Sequence, residues 1–188
     1  MTVAEKTDSD EHSIADSQSG SAGMPNVVAE EYRGDVRRLI KRLNELRSTE
    51  ICSYLQYKQH AYMAVSLVGP GVRAEFIEHA DEELKHADML AERIQQLGGV
   101  PIFDPAEIAR TASKAHVNVT QGATVEAMVR EDLEVEHAQV NAYMAFIREV
   151  GFDDPTTRRL LEDILKDTEH HASELRDMLS SRAETKKG

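Results

Sequence analysis

The amino-acid sequence predicts an all-α protein, built as a four-helix bundle with a long crossover between its second and third helices. Aromatic residues make up 5% of the chain and tryptophan is absent, whereas charged residues reach 30%. This composition favours helices over sheets. Four long segments repeat apolar side chains at alternating steps of three and four residues, the core stripe of an amphipathic helix. The connection between the second and third segments exceeds a hairpin loop, which predicts a crossing along the bundle.

The length and charge of the chain limit the possible classes of function. The 188 residues are enough for one domain with a full core. A formal net charge of -12 repels phosphate and concentrates cations, so nucleic acid is not an expected partner. The single cysteine, Cys52, excludes an intrachain disulfide and fits a reducing compartment. Neither a run of ~18 apolar residues nor a secretory signal is present, which predicts a cytoplasmic protein outside the membrane.

Three regions are expected along the chain. Residues 1–26 are rich in Ser, Asp, Glu and Gly and predict a disordered acidic tail with a solubilising role. Residues 27–182 carry the bundle, and residues 183–188 form a polar end.

The first two helices are bounded by glycine and proline. The spacing predicts a helix from about Val28 to Leu67, which Gly69-Pro70-Gly71 then interrupts. A second helix is predicted from about Val72 to Leu97, ending at Gly98-Gly99-Val100-Pro101.

The crossover contains a short helix of its own in this interpretation. Asp104 reads as an N-cap and Pro105 as a first-turn proline, which predicts a helix from Pro105 to about Ala115. His116 follows and is expected in solvent.

The last two helices have clear start signals. Thr124 is the N-cap candidate for a helix from about Val125 to Val150. Asp154-Pro155 opens a fourth helix that continues to about Ser181.

Each predicted long helix carries a possible metal ligand within its core stripe. On the second helix, Glu83 and His86 are three residues apart and share one face. A single Glu-x-x-His motif is equally well explained as a charged pair on the exposed face of a helix. The other helices add Glu50, Glu136 and His171 at similar depth. Unpaired ions there would destabilise the bundle, whereas two metal ions neutralise them. Oxygen and nitrogen ligands suit iron or manganese, with zinc as a possible substitute.

Four motifs resemble the ferritin-like superfamily, and within it the bacterioferritins and the Dps-like miniferritins that hold a bacterioferritin-type site inside the bundle. The resemblance covers about Glu30 to Leu179. The motifs are EICSYLQYKQH from Glu50, EELKHADMLAERIQQLGGVP from Glu82, EDLEVEH from Glu131 and TRRLLEDILKDTEHHASEL from Thr157.

The resemblance implies roles for the candidate residues. Glu83 is then a bridging carboxylate of a di-iron site, and Tyr57 matches a site tyrosine that bonds to a bridging ligand or donates an electron. The remaining implied ligands are the terminal carboxylates Glu50 and Glu136 and one imidazole for each iron, His86 and His171.

The chain departs from the family pattern at three points. The second bridging glutamate is replaced by Thr168, and the adjacent Asp167 is the candidate to complete the metal site. Leu84 stands where bacterioferritins place a haem-ligating methionine, so no haem is expected. A fifth helix is not predicted, whereas the crossover helix is a Dps-like trait. Both traits favour a shell of twelve subunits.

The leading hypothesis is a ferroxidase and iron-storage miniferritin that oxidises iron(II) with peroxide or dioxygen inside a homo-oligomeric shell. One alternative is a non-storing di-iron or di-manganese peroxidase that resembles rubrerythrin or manganese catalase. Another is a DNA-coating protein of the Dps kind, against which the acidic charge argues.

Overall fold

A computed structural model describes residues 34–64, 70–113 and 124–185. These residues form five helices and no strand. The helices are α1 (Val36–Met63), α2 (Pro70–Gln96), α3 (Pro105–Thr111), α4 (Val125–Val150) and α5 (Pro155–Thr185). The predicted tail over residues 1–26, the expected start and end of the first helix, and His116 lie outside the described residues. The all-α class and the crossover helix agree with the sequence-based prediction.

Side chains cap the helices where the sequence indicated. Asp104 Oδ1 accepts a hydrogen bond from the Glu107 amide at 2.9 Å, and Thr124 Oγ1 accepts one from the Ala127 amide at 3.1 Å. Helix α4 has the predicted bounds. Helix α3 is shorter than expected, because the backbone at Ala112 turns to an extended ψ of 151°.

The end of α2 shows why glycine follows it. The Gly98 amide donates to the Gln95 carbonyl and the Gly99 amide donates to the Ile94 carbonyl, each at 2.9 Å. This is the Schellman arrangement, and it places Gly98 at a φ of +79°. Glycine adopts that conformation without steric cost.

Cross-helix contacts define the direction of each helix. Tyr57 pairs with Glu136 while the earlier Glu50 pairs with the later Tyr143, so α1 and α4 are antiparallel. Helices α2 and α5 are antiparallel by the same reasoning, since Glu82 contacts His171 and the later Arg93 contacts the earlier Thr157. Helix α1 is also antiparallel to α2, since Lys58 meets Asp81 and Glu50 faces His86. Helices α2 and α4 are therefore parallel, which explains why a crossover must join them.

The crossover is fixed along α1 by buried polar side chains. Asn44 donates to the Val100 carbonyl and accepts from the Ile102 amide, at 3.2 and 2.9 Å. The Arg47 guanidinium donates to the Ile102 carbonyl and stacks 4.1 Å above the ring of Phe103. These bonds satisfy backbone groups that have no partner within a helix.

Two apolar clusters fill the ends of the bundle and leave its middle for polar groups. The first apolar cluster is centred on Leu43, Leu90 and Ile164, and the second on Phe76 and Met128. Burial on this scale supplies the main favourable free energy of folding. The middle layer therefore lies between two apolar clusters.

No described helix combines the length and the apolar character that crossing a membrane requires.

Candidate metal centre

The middle of the bundle gathers carboxylates and imidazoles from all four long helices. Two groups of potential ligands form there, and within each group the ligand atoms lie within 4.8 Å of one another. The first group comprises Glu50, Glu83 and His86, and the second comprises Glu83, Glu136 and His171. Glu83 belongs to both groups. Helix α2 therefore supplies a carboxylate that is placed to bridge two ions.

All five side chains are buried and directed at one another. Each is 0–1% exposed. Nδ1 of His86 lies 3.6 Å from Glu50 Oε2, while Nδ1 of His171 lies 3.4 Å from Glu83 Oε1 and 3.6 Å from Glu136 Oε1. These separations are longer than those of good hydrogen bonds. Ligand atoms that share a metal ion stand at similar separations, roughly 3.0–3.4 Å when each lies about 2.1 Å from the ion.

The unpartnered atoms of this layer test whether metal ions fit it. Among the described residues, several buried side-chain atoms have no hydrogen-bond partner, and six of them belong to these five ligands. The six atoms are Glu50 Oε2, both carboxylate oxygens of Glu83, His86 Nδ1, Glu136 Oε2 and His171 Nδ1. Buried polar atoms in proteins are nearly always bonded. Two cations placed between them would satisfy all six, so the residues present fit a dinuclear metal centre.

Without metal, bound protons balance the negative charge of the buried carboxylates. Burial, together with the neighbouring Glu50 carboxylate, raises the pKa of Glu83 well above its usual range. Burial lowers the pKa of His171, but the neighbouring Glu136 and Glu83 carboxylates outweigh that effect and raise it to about 12. Burial alone would raise the pKa of Glu50, but the adjacent Glu83 and His86 side chains outweigh that effect and lower it. Metal ions entering the layer must therefore displace protons.

Two tyrosines hold the outer carboxylates. Tyr57 donates to Glu136 Oε1 and Tyr143 donates to Glu50 Oε1, each at 2.5 Å. Burial and the adjacent carboxylates raise the pKa of both phenols well above 10, so the phenols remain protonated donors. Each bond fixes one carboxylate oxygen, and the other oxygen of each carboxylate has no hydrogen-bond partner.

Two further carboxylates lie behind the imidazoles, Glu82 within close hydrogen-bond distance and Asp167 farther away. Nε2 of His171 lies 2.5 Å from Glu82 Oε2, and Nε2 of His86 lies 3.5 Å from Asp167 Oδ2. A carboxylate at the far nitrogen fixes the ring orientation and its tautomer, leaving Nδ1 for a metal ion. The structure thus places Asp167 behind the His86 ring and outside both ligand groups.

The two halves of the centre are related by an approximate twofold pattern. Glu50 and Tyr57 on α1 correspond to Glu136 and Tyr143 on α4, 86 positions later. On α2 and α5 the matching residues are 85 positions apart. They pair Glu82 with Asp167, Glu83 with Thr168, and His86 with His171. Thr168 is therefore the counterpart of the shared carboxylate, and Asp167 is the counterpart of the residue behind the other imidazole.

Thr168 is fully buried and its hydroxyl is already used. Its Oγ1 donates to the Ile164 carbonyl on the preceding turn at 3.1 Å. The side chain therefore contributes packing on α5 and supplies no carboxylate to the centre.

Sequence reasoning did not identify Glu82 or Tyr143 as parts of the site, or Asp132 as a buried polar residue beyond it. Tyr143 stands seven residues after Glu136, as Tyr57 stands seven residues after Glu50. That repeated spacing could have identified Tyr143 from the sequence. Asp132 accepts from Gln56 at 2.8 Å and contacts His60 Nδ1 at 2.9 Å, one layer beyond Tyr57.

The comparisons with known proteins agree with this geometry. The sequence matches the Ferritin family, described as the ferritin-like domain, over residues 40–183. The bacterioferritin of Desulfovibrio desulfuricans is 28% identical over 137 residues, which cover 71% of this chain and 70% of the relative. The DNA protection during starvation protein of Pyrococcus furiosus is 28% identical over 149 residues, which cover 79% of this chain and 80% of the relative.

A solved structure is also similar over most of its length. It is that of a dodecameric thioferritin, the bacterioferritin-related protein from Bacteroides fragilis. The match has a TM-score of 0.75 at 30% identity and covers 81% of this chain and 90% of that chain. The predicted fold and family are thereby confirmed. The chain belongs to the ferritin-like domain family.

Proposed function

We propose that the protein is a ferroxidase and iron-storage miniferritin, with iron(II) and peroxide or dioxygen as its substrates. Iron storage and oxidation are the kind of function that the ferritin-like family and its bacterioferritin relatives support. Two iron(II) ions bound together supply two electrons at one place, which is the number that reduces peroxide to water. The single observation that carries the proposal is the set of six buried, unpartnered ligand atoms around Glu83.

The proposed division of labour follows from the contacts. Glu83 is the bridging ligand, because it belongs to both groups. Glu50 and Glu136 are terminal carboxylates, each fixed through one oxygen by a tyrosine. His86 and His171 give each ion one imidazole nitrogen, Nδ1. The same oxygen and nitrogen donors also accept manganese or zinc.

Tyr57 is the candidate residue for a role beyond positioning. It is 1% exposed and its hydroxyl bonds directly to a proposed ligand, Glu136. We propose that it steadies this carboxylate during oxidation and is the nearest source of an electron in that half of the centre. Tyr143 has the corresponding position in the other half.

The proposed centre is asymmetric. Glu83 supplies one bridging carboxylate, whereas Thr168 supplies none at the corresponding position on α5. Asp167 is the carboxylate that sequence reasoning put forward to fill this place. Its contact with His86 Nε2 supports a different role, in which Asp167 positions the imidazole and solvent completes the metal site.

We further propose assembly into a homododecameric shell. The similar thioferritin is dodecameric, and the crossover helix α3 is present here as expected. An acidic chain suits the entry and storage of cations. The mass of the particle in solution, measured by light scattering, tests this part of the proposal. A dimer could not enclose a mineral and would favour the non-storing peroxidase.

Anaerobic iron(II) titration tests the proposed centre. We expect Glu83→Ala to bind two fewer iron(II) ions per chain than the wild-type protein, because both ions share this carboxylate. Rapid oxidation on adding peroxide should be lost with them. Glu92→Ala is the matched control, since it removes an exposed glutamate from the same helix. Equal iron counts in Glu83→Ala and Glu92→Ala would contradict the proposal.

A DNA-coating role is the second candidate, because one relative is a DNA protection during starvation protein. The net charge of -12 opposes phosphate binding by the bulk of the chain. We expect no mobility shift of duplex DNA at low salt. A tight complex under these conditions would establish the DNA-binding role instead.

A further inference from the structure

A third group of possible ligands lies beside the dinuclear centre. It comprises Glu75 and His79 on α2 and Glu174 on α5, whose ligand atoms lie within 4.8 Å of one another. Nε2 of His79 is 3.0 Å from Glu174 Oε2 and 3.8 Å from Glu75 Oε1. The first separation already matches two ligands of one ion, and the second needs a shift of roughly 0.5 Å.

The imidazole of this group is buried while its carboxylates reach the surface. The His79 side chain is 1% exposed, whereas those of Glu75 and Glu174 are 30% and 34% exposed. Glu75 and Glu174 also line a cavity of about 400 Å³, which offers an approach for a hydrated ion. The second oxygen of Glu174 contacts the exposed His170 at 3.2 Å. The group therefore combines a fixed nitrogen donor with carboxylates that an ion can reach.

His79 has a free choice of tautomer. Its Nδ1 is buried and has no hydrogen-bond partner. Moving the ring proton from Nε2 to Nδ1 therefore breaks no other hydrogen bond. The Nε2 lone pair is then directed between the two carboxylates, as a metal ion would require.

The other half of the bundle shows that the fold does not need polar residues here. By the 85-position relationship between α2 and α5, Glu75 corresponds to Leu160, His79 to Ile164, and Glu174 to Met89. Ile164 belongs to the first apolar cluster, and Leu160 and Met89 pack against it. Ordinary apolar packing fills one of two equivalent places, while a histidine and two glutamates occupy the other.

We propose that Glu75, His79 and Glu174 form an additional site for a divalent first-row transition metal ion. Mixed carboxylate and imidazole donors select this class of cation. The His79 ring stacks on the His171 ring with centroids 4.2 Å apart and planes inclined by 22°. The site is therefore adjacent to a proposed ligand of the dinuclear centre. Its metal binding does not depend on the oxidation chemistry proposed above.

Cobalt(II) binding to the intact protein under anaerobic conditions tests the site. We expect the double variant Glu75→Gln/Glu174→Gln to bind one cobalt(II) ion fewer per chain than the wild-type protein. The matched control is Glu78→Gln/Glu169→Gln, which removes two exposed carboxylates from the same two helices. The control should keep the wild-type count. Equal counts in wild type and the first double variant would overturn the proposal.

Two further measurements separate this site from the dinuclear centre. Glu83→Ala should retain one cobalt(II) ion per chain, and Glu75→Gln/Glu174→Gln added to that background should remove it. If the dinuclear centre failed to bind metal, wild type would bind one ion and the first double variant none. In zinc-soaked crystals, we expect an anomalous peak about 2.0–2.1 Å from His79 Nε2. A fully loaded crystal without that peak would contradict the proposal and show that His79 and its carboxylates form only a hydrogen-bonded ion pair.

Discussion

Glu83 shows at the scale of a single residue why the centre implies metal ions. A carboxylate at 0% exposure costs several kcal/mol unless it is paired, protonated or coordinated. Both of its oxygens lack a hydrogen bond, and burial raises its pKa well above the usual range. A stable fold that needed no ion would be better served by an apolar residue at this position.

The tyrosine that sequence reasoning missed gives a first test. Tyr143→Phe leaves Glu50 Oε1 without its donor, so we expect metal affinity in the half that contains His86 to fall about 10–100-fold. Tyr57→Phe should have a comparable effect in the half that contains His171. Cobalt(II) titration measures both, with Tyr62→Phe as control because that side chain is 70% exposed. An effect confined to Tyr57→Phe would refute the twofold pattern.

Asp167 distinguishes positioning from ligation. If it positions His86, Asp167→Ala should weaken metal binding about 10–100-fold while the number of ions per chain stays the same at saturation. Glu82→Ala should act in the same way through His171. Loss of one ion at saturating metal in Asp167→Ala would instead restore the sequence-based prediction that this carboxylate is a ligand. Glu169→Ala, an exposed site on the same helix, is the control.

Residue spacing could predict positions on a helix but not partners across the bundle. Glu50, Glu83, His86, Glu136 and His171 were found because charged residues interrupt an apolar stripe. Glu82 lies next to that stripe, and only the direction of α5 brings His171 Nε2 to it. Side-chain partners of this kind depend on helix rotation and register, which a single sequence does not specify.

At the scale of elements, a buried ion pair joins α2 to the start of α5. The Arg93 guanidinium donates to both oxygens of Asp154, at 3.0 and 2.9 Å. Asp154 also accepts from the Thr157 amide at 2.8 Å, as the N-cap that the sequence predicted. One aspartate therefore starts a helix and fixes it to its antiparallel neighbour.

Removing this aspartate should be strongly destabilising. Asp154→Ala leaves Arg93 buried without its anion, and we expect about 3–5 kcal/mol lower free energy of unfolding. Denaturant unfolding at neutral pH measures this difference. Asp163→Ala removes an exposed carboxylate of α5 and should change the free energy by less than about 1 kcal/mol. A loss below about 1 kcal/mol in Asp154→Ala would show that the pair contributes little.

The same carboxylate gives a pH dependence with a defined sign. Burial alone would raise the pKa of Asp154, but the hydrogen bonds from Thr157 and Arg93 lower it below 3.8. A lowered pKa stabilises the folded state at all pH values above 3.8, and this contribution disappears as the pH falls towards the folded-state pKa. We expect Asp154→Asn to lose less stability than wild type between pH 5 and pH 2. Parallel curves would refute this assignment.

At the scale of the whole molecule, two apolar clusters flank the layer of carboxylates and imidazoles. The sequence was sufficient to predict the helix class, the crossover, three caps and the bounds of α4. The signals were the apolar periodicity, the glycines and prolines, and the cap residues. The end of α3 could not, because it depends on how the crossover packs against α1. The predicted boundaries at residues 26 and 182 and the absence of haem stay predictions.

Metal binding should stabilise the whole bundle, since ions satisfy buried ligand atoms that have no hydrogen-bond partner in the folded chain alone. At cobalt(II) concentrations 100-fold above the dissociation constant, one site adds about 2.7 kcal/mol to the free energy of unfolding. We expect a higher Tm for the loaded wild-type protein and a much smaller rise for Glu83→Ala. Calorimetry of both under anaerobic conditions measures the difference. Equal rises would place the stabilising ions elsewhere.

Proton release accompanies that binding if the centre is as described. His171, with a pKa of about 12, holds a proton at neutral pH, and the raised pKa of Glu83 favours its protonated form. Metal ions displace these protons, so affinity should increase as the pH rises. An indicator in weakly buffered solution should report acidification on adding cobalt(II). Addition without acidification would contradict the proposed ligand set.

We propose that one carboxylate, Glu83, is shared by two metal ions inside a single chain. Anomalous diffraction from crystals loaded anaerobically with iron(II) tests it most directly. We expect two iron peaks on opposite sides of the Glu83 carboxylate, each about 2.0–2.2 Å from one of its oxygens. One peak should also lie near His86 Nδ1 and the other near His171 Nδ1. A fully loaded crystal with a single peak in this layer, or with peaks that do not contact Glu83, would contradict the claim.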